Sequence, residues 1–173
     1  MSSASGSDRD LRLREASPAD AEAVASLVNA AFRVESFFIE GDRTTAAEIQ
    51  GLLGSGAFLL AEGPGGALAG CVYVERRGPR GYFGLLAVDP ARQGSGLGRR
   101  LVGAAEEHCR QGGCAHVDIQ VVNLREELPA FYRRLGYAES GTAPFPQPGK
   151  AKRACHFILM SKPLARPIDR EQQ

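Results

Sequence analysis

The stretch Leu86-Ala87-Val88-Asp89-Pro90-Ala91-Arg92-Gln93-Gly94-Ser95-Gly96-Leu97-Gly98-Arg99-Arg100-Leu101 constrains this chain more than any other part of it. An apolar run enters a turn with glycine at alternate positions, and a helical pattern follows, so a buried strand passes through an open backbone turn into a helix. Gly94, Gly96 and Gly98 leave no Cβ between the main chain and a ligand. Successive amides can then point at anionic oxygens, and the first turn of the helix adds unpaired N–H donors at its positive dipole end. Arg99 and Arg100 bring charge to the same place. The physical reading is a loop that binds the diphosphate of a cofactor.

Two familiar phosphate loops fit poorly. A P-loop needs four residues between its glycines and Lys-Ser/Thr after them, and neither occurs here. The dinucleotide fingerprint Gly-x-Gly-x-x-Gly requires glycine where Arg99 stands. Asp118, twenty residues past Gly98, lies near the place of a ribose-binding acid, but the strand before the loop comes late in the chain and not at its start. In contrast, Gln93-x-x-Gly96-x-Gly98 behind a strand ending Leu86-Ala87-Val88-Asp89-Pro90 resembles the acetyl-CoA-binding motif of the GNAT superfamily of N-acetyltransferases. Asn123 followed by Phe131-Tyr132-Arg133-Arg134-Leu135-Gly136-Tyr137 is similar to that family's Asn and Phe-Tyr-x-x-x-Gly-aromatic. The two motifs stand in the family's order, and the resemblance covers residues 10–163.

A chain of 173 residues suits one domain and can remove about two thirds of its unfolded surface from water. A net charge of +1 gives no field that favours a polyanion, and an aromatic fraction of 7% gives few stacking platforms, so nucleic-acid binding is not expected. Cys71, Cys109, Cys114 and Cys155 show no Cys-x-x-Cys spacing and read as buried thiols in a reducing cytoplasm. The histidines lack ligand spacing, and no metal is expected. His108 reads as an exposed helix residue, and His116 and His156 as packed strand residues. No stretch approaches the eighteen or so apolar residues of a membrane span, and the polar start is unlike a secretory signal. Residues 1–9 and 164–173 are expected to be tails flanking a domain at 10–163.

The remaining pattern gives a mixed α/β (α+β) domain. Leu11 and Leu13 alternate with arginines in a short strand, and Ser17-Pro18-Ala19-Asp20 opens a helix with Ala23, Val24, Leu27, Val28 and Ala31 on one face. A second helix starts at Thr44 or Thr45, with Glu48 completing a capping box, and ends at Gly54. Residues 57–62 and 68–76 form a hairpin, and 82–88 return as a third antiparallel strand. The glycine-loop helix ends at Gly112; a strand at 116–122, a helix at about 125–135 and a last strand at 155–161 follow. Strand, helix, strand implies one parallel pair inside a mostly antiparallel sheet with about four helices. The resemblance implies that this central pair is splayed.

Acetyl transfer to an amine needs a held thioester, a polarised carbonyl, a deprotonated nucleophile and an acid for the leaving thiolate. The resemblance assigns acetyl-CoA binding to Leu86, Ala87, Val88, Gln93, Gly94, Ser95, Gly96, Leu97, Gly98, Arg99, Asn123 and Tyr132. It makes the Leu86 backbone amide the carbonyl donor and the Tyr132 hydroxyl the proton source for sulfur. Packing under the sheet is the competing account of Tyr132, and capping of the next helix that of Asn123. Several family members carry a glutamate base where this chain has Tyr82, so Glu40, Glu75, Asp118 or bulk water stand as alternatives, with Glu40 preferred. The resemblance places the acceptor, a small-molecule or peptide amine, between loop 33–43, whose Phe37, Phe38, Glu35, Glu40 and Asp42 could hold a cationic amine, and excursion 141–153, whose Lys150, Lys152 and Arg153 could hold a carboxylate. A non-catalytic acyl-CoA-binding or sensing module, O-acyl transfer and a longer acyl donor remain open, and the last strand, Cys155 to Met160, is a candidate for pairing in a homodimer.

Overall fold

The computed structural model of the protein describes residues 10–165. The expected tail at 1–9 therefore lies outside the described residues, as does all of 164–173 beyond Leu164 and Ala165. Leu164 is not tail-like: it is buried, and its N–H donates to the Ala115 carbonyl at 2.8 Å.

Among the described residues, seven strands form one sheet in the order β1-β2-β3-β4-β5-β7-β6. They are β1 (Arg12–Glu15), β2 (Ala57–Glu62), β3 (Leu68–Arg77), β4 (Arg80–Val88), β5 (His116–Val122), β6 (Ala138–Pro144) and β7 (His156–Pro163). Every neighbouring pair is antiparallel except β4 and β5. Four α-helices among the described residues cover it: α1 (Ala21–Ala31), α2 (Ala46–Leu53), α3 (Leu97–Gln111) and α4 (Glu127–Arg134). The mixed sheet with its central parallel pair and four helices matches the fold read from the sequence. The proposed dimer mode does not survive, because β7 lies between β5 and β6 and both of its backbone edges are already paired.

The helix starts follow from local chemistry. Ser17 and Asp20 close a reciprocal capping box over a short 3-10 turn, Pro18–Asp20, that leads into α1. Thr45 caps α2, its Oγ1 accepting from the Glu48 N–H at 3.2 Å. Ala23, expected on the inner face of α1, is exposed; Ala21 and Ala25 take the buried positions beside Val24, Leu27 and Val28.

Strand side chains alternate between two cores. On one face Phe58, Leu60, Cys71 and Tyr73 meet Val24 and Val28 of α1 and Ile49 of α2. On the other, Val72, Val74, Phe83, Val117 and Ile119 meet Leu97, Leu101, Val102 and Cys109 of α3 and Tyr132 of α4. The alternation breaks once. Leu85 has φ 49°, and the β3–β4 register slips between Cys71 and Tyr73, so β4 carries an extra residue there. As a result Phe83 and Leu86, three positions apart, belong to the same core, and Leu85 and Ala87 to the other.

Two small residues let α3 seat closely. A Cβ on Gly81 would stand 3.0 Å from Cys109 Cβ and closer still to its sulfur, and one on Gly70 would stand 2.8 Å from Leu101 Cδ1. Gly81→Ala is expected to destabilise the protein by about 1–3 kcal/mol through overpacking. Urea unfolding should show the loss, and adding Cys109→Ala should recover part of it.

Candidate functional site

β4 pairs with β5 only through Arg80↔His116, Gly81↔Val117 and Tyr82↔Asp118. Past Tyr82 the strands part, and a cleft of about 860 Å³ opens between them. Its walls include Gly84, Leu86 and Val88 from β4 and Ile119, Gln120 and Val121 from β5. Gln93, Gly94, Ser95, Gly96, Leu97, Gly98 and Arg99 form one end, with Arg92 and Arg134 beside them.

The loop has the open geometry that the sequence requires. Gly94 has φ 83° and Gly96 φ 85°, the left-handed region that a side chain strains to enter. Gly96 is the N-cap of α3, whose first turn carries no acid. Among the described residues, none of the N–H groups from Gln93 through Arg99 donates a hydrogen bond to the protein; donation resumes at Arg100, to the Gly96 carbonyl at 3.1 Å. The result is a run of unsatisfied donors at a positive helix end, with arginines around it. It suits a pyrophosphate.

Tyr132 lines the same cleft from α4. Its ring is clamped by Phe131, Phe83 and Tyr137 at centroid distances of 5.0, 6.1 and 5.7 Å. No hydrogen bond within the described residues engages its hydroxyl, and burial pushes its pKa up while the Arg125 charge opposes the rise. The hydroxyl is therefore protonated at neutral pH and free to donate. Tyr137 is spoken for: its O–H donates to Glu106 at 2.9 Å, and Lys162 holds the same carboxylate at 2.9 Å.

Other expected residues stand elsewhere. Ala87 is buried against the α1 side and does not line the cleft. Asn123 ties β5 to β7, its Oδ1 accepting from the His156 N–H at 2.9 Å; it neither lines the cleft nor caps α4. His156 is exposed rather than packed. Glu40 is exposed and outside the cleft wall. Glu75 accepts from Tyr73 at 3.2 Å and Arg77 at 3.3 Å. Asp118 is gripped by Arg80 at 2.7 and 2.6 Å and by the Ser161 hydroxyl, and its pKa is lowered, mainly by the Arg80 hydrogen bonds. None of these three acids reaches the cleft.

Tyr82 does line it, half-buried, with the Arg77 guanidinium 4.3 Å over its ring and its pKa raised by burial. Gly84 makes room for the Tyr82 hydroxyl, which a Cβ there would meet at 2.6 Å.

The two loops expected to hold an acceptor are stitched together. Ile39 and Ala151 form an antiparallel bridge, the Glu40 N–H donates to the Lys150 carbonyl at 2.8 Å, and the Lys152 N–H to Phe38 at 2.7 Å. The Lys152 ammonium adds a bond to the Ser36 carbonyl at 2.9 Å, and Arg153 lies 5.7 Å over the Phe37 ring. Beneath this roof the cleft is lined by Phe32, Glu35, Asp42, Arg43, Arg125 and Phe157. In the sequence Glu35 is one of three acids, with Glu40 and Asp42, that this loop offers to a cationic amine; the fold separates it from the other two by burying it.

These features, a splayed parallel pair beside a glycine-loop helix N-terminus, define a class. The sequence model of the acetyltransferase (GNAT) family matches residues 22–137, and the chain belongs to that family. It is similar to glucosamine 6-phosphate N-acetyltransferase 1 of Oryza sativa subsp. japonica, 40% identical over 78 residues, which is 42% of this chain and 46% of that one. It is also similar to streptothricin acetyltransferase of Streptomyces lavendulae, 32% identical over 78 residues, 45% of this chain and 41% of that one. The chain thus spans about half the length of such curated relatives. Among solved structures, nourseothricin acetyltransferase aligns with a TM-score of 0.70 at 24% identity, covering 90% of this chain and 99% of that one. Ard1 from Thermoplasma volcanium aligns at 0.74 and 20% identity, covering 91% and 99%. Both share the fold.

Burial raises the Glu35 pKa, with Arg125 and Arg43 opposing and Glu127 adding to the rise. Between the ordinary carboxylate pKa and this raised value, the folded protein holds more proton at residue 35 than the unfolded chain does. Stability contributed by this site therefore falls as pH rises through that window. Glu35→Gln should flatten the fall, measured as urea midpoints across pH 4 to 7.

Proposed function

We propose that the protein is an N-acetyltransferase that moves the acetyl group of acetyl-CoA to a primary amine of a small molecule or peptide, by direct attack in a ternary complex. The observation that carries this reading is the run of undonated N–H groups from Gln93 through Arg99, opening into the same cleft as an unengaged, protonated Tyr132 hydroxyl. Pyrophosphate would sit on the loop, and the pantetheine arm would lie between β4 and β5, supplying the strand contacts that the splay leaves unmade. The Leu86 amide, in the bulge that the ladder skips, would polarise the acetyl carbonyl; such a donor is worth about 3 kcal/mol against developing oxyanion charge. Tyr132 would then protonate the departing sulfur.

The acetyltransferases named above support an amine acceptor, and the acceptors in their names define a first panel. The free cysteines fit a reducing cytoplasm: burial pushes the Cys71 and Cys109 thiols up to about 12, which makes them inert. No helix among the described residues is long and apolar enough to cross a membrane.

Thiol release from acetyl-CoA over a panel of amines that includes glucosamine 6-phosphate and streptothricin tests the reading. Transfer to at least one amine is expected, and CoA binding without transfer to any would favour the acyl-CoA-binding alternative. Tyr132→Phe should lower kcat by about a hundredfold or more while leaving the KM for acetyl-CoA near its parent value. Gly96→Val, forced into a left-handed φ at the centre of the nest, should weaken CoA binding by about tenfold or more in calorimetry.

A further inference from the structure

The Glu35 side chain is only 9% exposed, and it lines the cleft. Among the described residues no N–H or O–H donates a hydrogen bond to its carboxylate, and the nearest cation, Arg125, stands at 3.8 Å. Arg125 gives its close hydrogen bond to Glu127 instead, at 2.7 Å. Buried carboxylates are completed by donors, and this one is incomplete within the protein. Its oxygens are not sealed from solvent, since no side-chain oxygen or nitrogen among the described residues is both buried and without a partner. What it lacks is a cationic donor, which is what an incoming ammonium is.

We propose that Glu35 receives the ammonium of the acceptor and takes its proton, serving as the general base of the transfer; this rests on the acetyl-transfer reading above. The other acids do not compete. Glu40, Glu75 and Asp118 lie outside the cleft, Glu127 is exposed and held by Arg125, and Asp42 is exposed at the rim. Tyr82 occupies the strand position of the family's glutamate, and a buried phenol with a raised pKa is no base near neutrality. The groups facing Glu35 are Arg125 from the turn before α4, Arg43 from the segment before α2, Glu127 from α4 and Cys155 from the approach to β7. The two arginines favour the ionised carboxylate, while burial favours its taking a proton.

The proton count closes. The acceptor ammonium gives one proton to the Glu35 carboxylate, and the freed lone pair forms the N–C bond to the acetyl carbon. The C–S bond breaks, and sulfur takes the Tyr132 hydroxyl proton. The second proton of the new amide nitrogen returns to the Tyr132 oxygen. Glu35 releases its proton to solvent, and it also lines a small second hollow of about 60 Å³ beside the exposed Arg33, Ser36 and Asp42, which gives the proton an outward path.

The test uses the fastest amine from the panel with saturating acetyl-CoA. Glu35→Gln should lower kcat/KM about a hundredfold near neutral pH. The deficit should shrink about tenfold per pH unit as the amine deprotonates unaided. The KM for acetyl-CoA should stay within about twofold, and Glu35→Asp should restore part of the rate. A Glu35→Gln enzyme that binds CoA and keeps the parent rate and pH profile overturns the assignment while leaving acetyl transfer intact. In a second arm, NMR of 13C-labelled glutamate follows the Glu35 carboxyl in the CoA-bound protein. Propylammonium should lower its titration midpoint, and the neutral isostere butanol should not. If no panel amine is acetylated, this arm decides, and an unmoved midpoint overturns the proposal. Failure to bind CoA at all overturns the acetyl-transfer reading, and this proposal with it.

Discussion

A parallel strand pair that stops pairing after three residues is the constraint on which the rest of the molecule depends. Backbone N–H and C=O groups along two adjacent strands normally satisfy one another, so parting them carries a cost unless water or a ligand takes their place. Here the parting is enforced from both sides. On β4, the positive φ of Leu85 adds a residue opposite Val72 and turns Leu86 toward the face already used by Phe83. On the other side, β5 pairs with β7 from His116↔Pro163 to Val122↔Phe157 along its whole length, which holds it away. The gap cannot close by a small shift of either strand, because each is held by an antiparallel ladder on its far edge, bulged on β4 and unbroken on β5.

The glycine loop inherits its position from that geometry. Residues 89–96 leave the C-terminal end of the bulged strand, and α3 must then return across the sheet to reach β5 on the same side as Phe83. Close seating at Gly70 and Gly81 fixes the helix against β3 and β4, so the donors at its first turn are held in place before any ligand arrives. Donors held in advance need no reorganisation when charge meets them, which is what gives a fixed nest of amides its strength. The same α3 carries Glu106, the partner of Tyr137 and Lys162, and that buried cluster ties the helix to the far side of the sheet at β7. The Phe-Tyr-x-x-x-Gly-aromatic segment thus serves two ends: Tyr137, past the end of α4, anchors structure, and Tyr132, five residues earlier on α4, is left with a hydroxyl that no described residue engages.

Much of this was legible in the sequence because it is local. The strand–Gly94-Ser95-Gly96–helix pattern, the Thr45 cap, the hairpin at Gly63-Pro64-Gly65-Gly66 and the crossover to β5 are each written within a few neighbouring residues, and the fold bears them out. The bulge was not legible from residues alone. Leu85-Leu86 is an ordinary apolar pair, and its left-handed φ appears only when β3 and the helices on both faces compete for side chains. Asn123 misled for a related reason: an asparagine at a strand end has several local uses, and the one taken, the His156 N–H, lies on a strand far along the chain. Ala87 likewise changes face because of the slip that the bulge introduces.

The acceptor side was the least legible, and the reason is physical. In the sequence Glu35 stands beside Glu40 and Asp42 in the segment Arg33 to Arg43, and nothing local separates the three acids. It becomes buried because that segment is bridged to Lys150 and Ala151, more than a hundred residues later, and because Arg125 arrives from between β5 and α4. Arg125 is where the two halves of the site meet, since its charge acts on both Glu35 and Tyr132. A single cation that opposes the burial-driven pKa rise of both groups favours the ionised form of the proposed base and makes the proposed acid a readier proton donor. That coupling exists only in three dimensions, among residues 35, 125 and 132, and no spacing rule along the chain would have paired them.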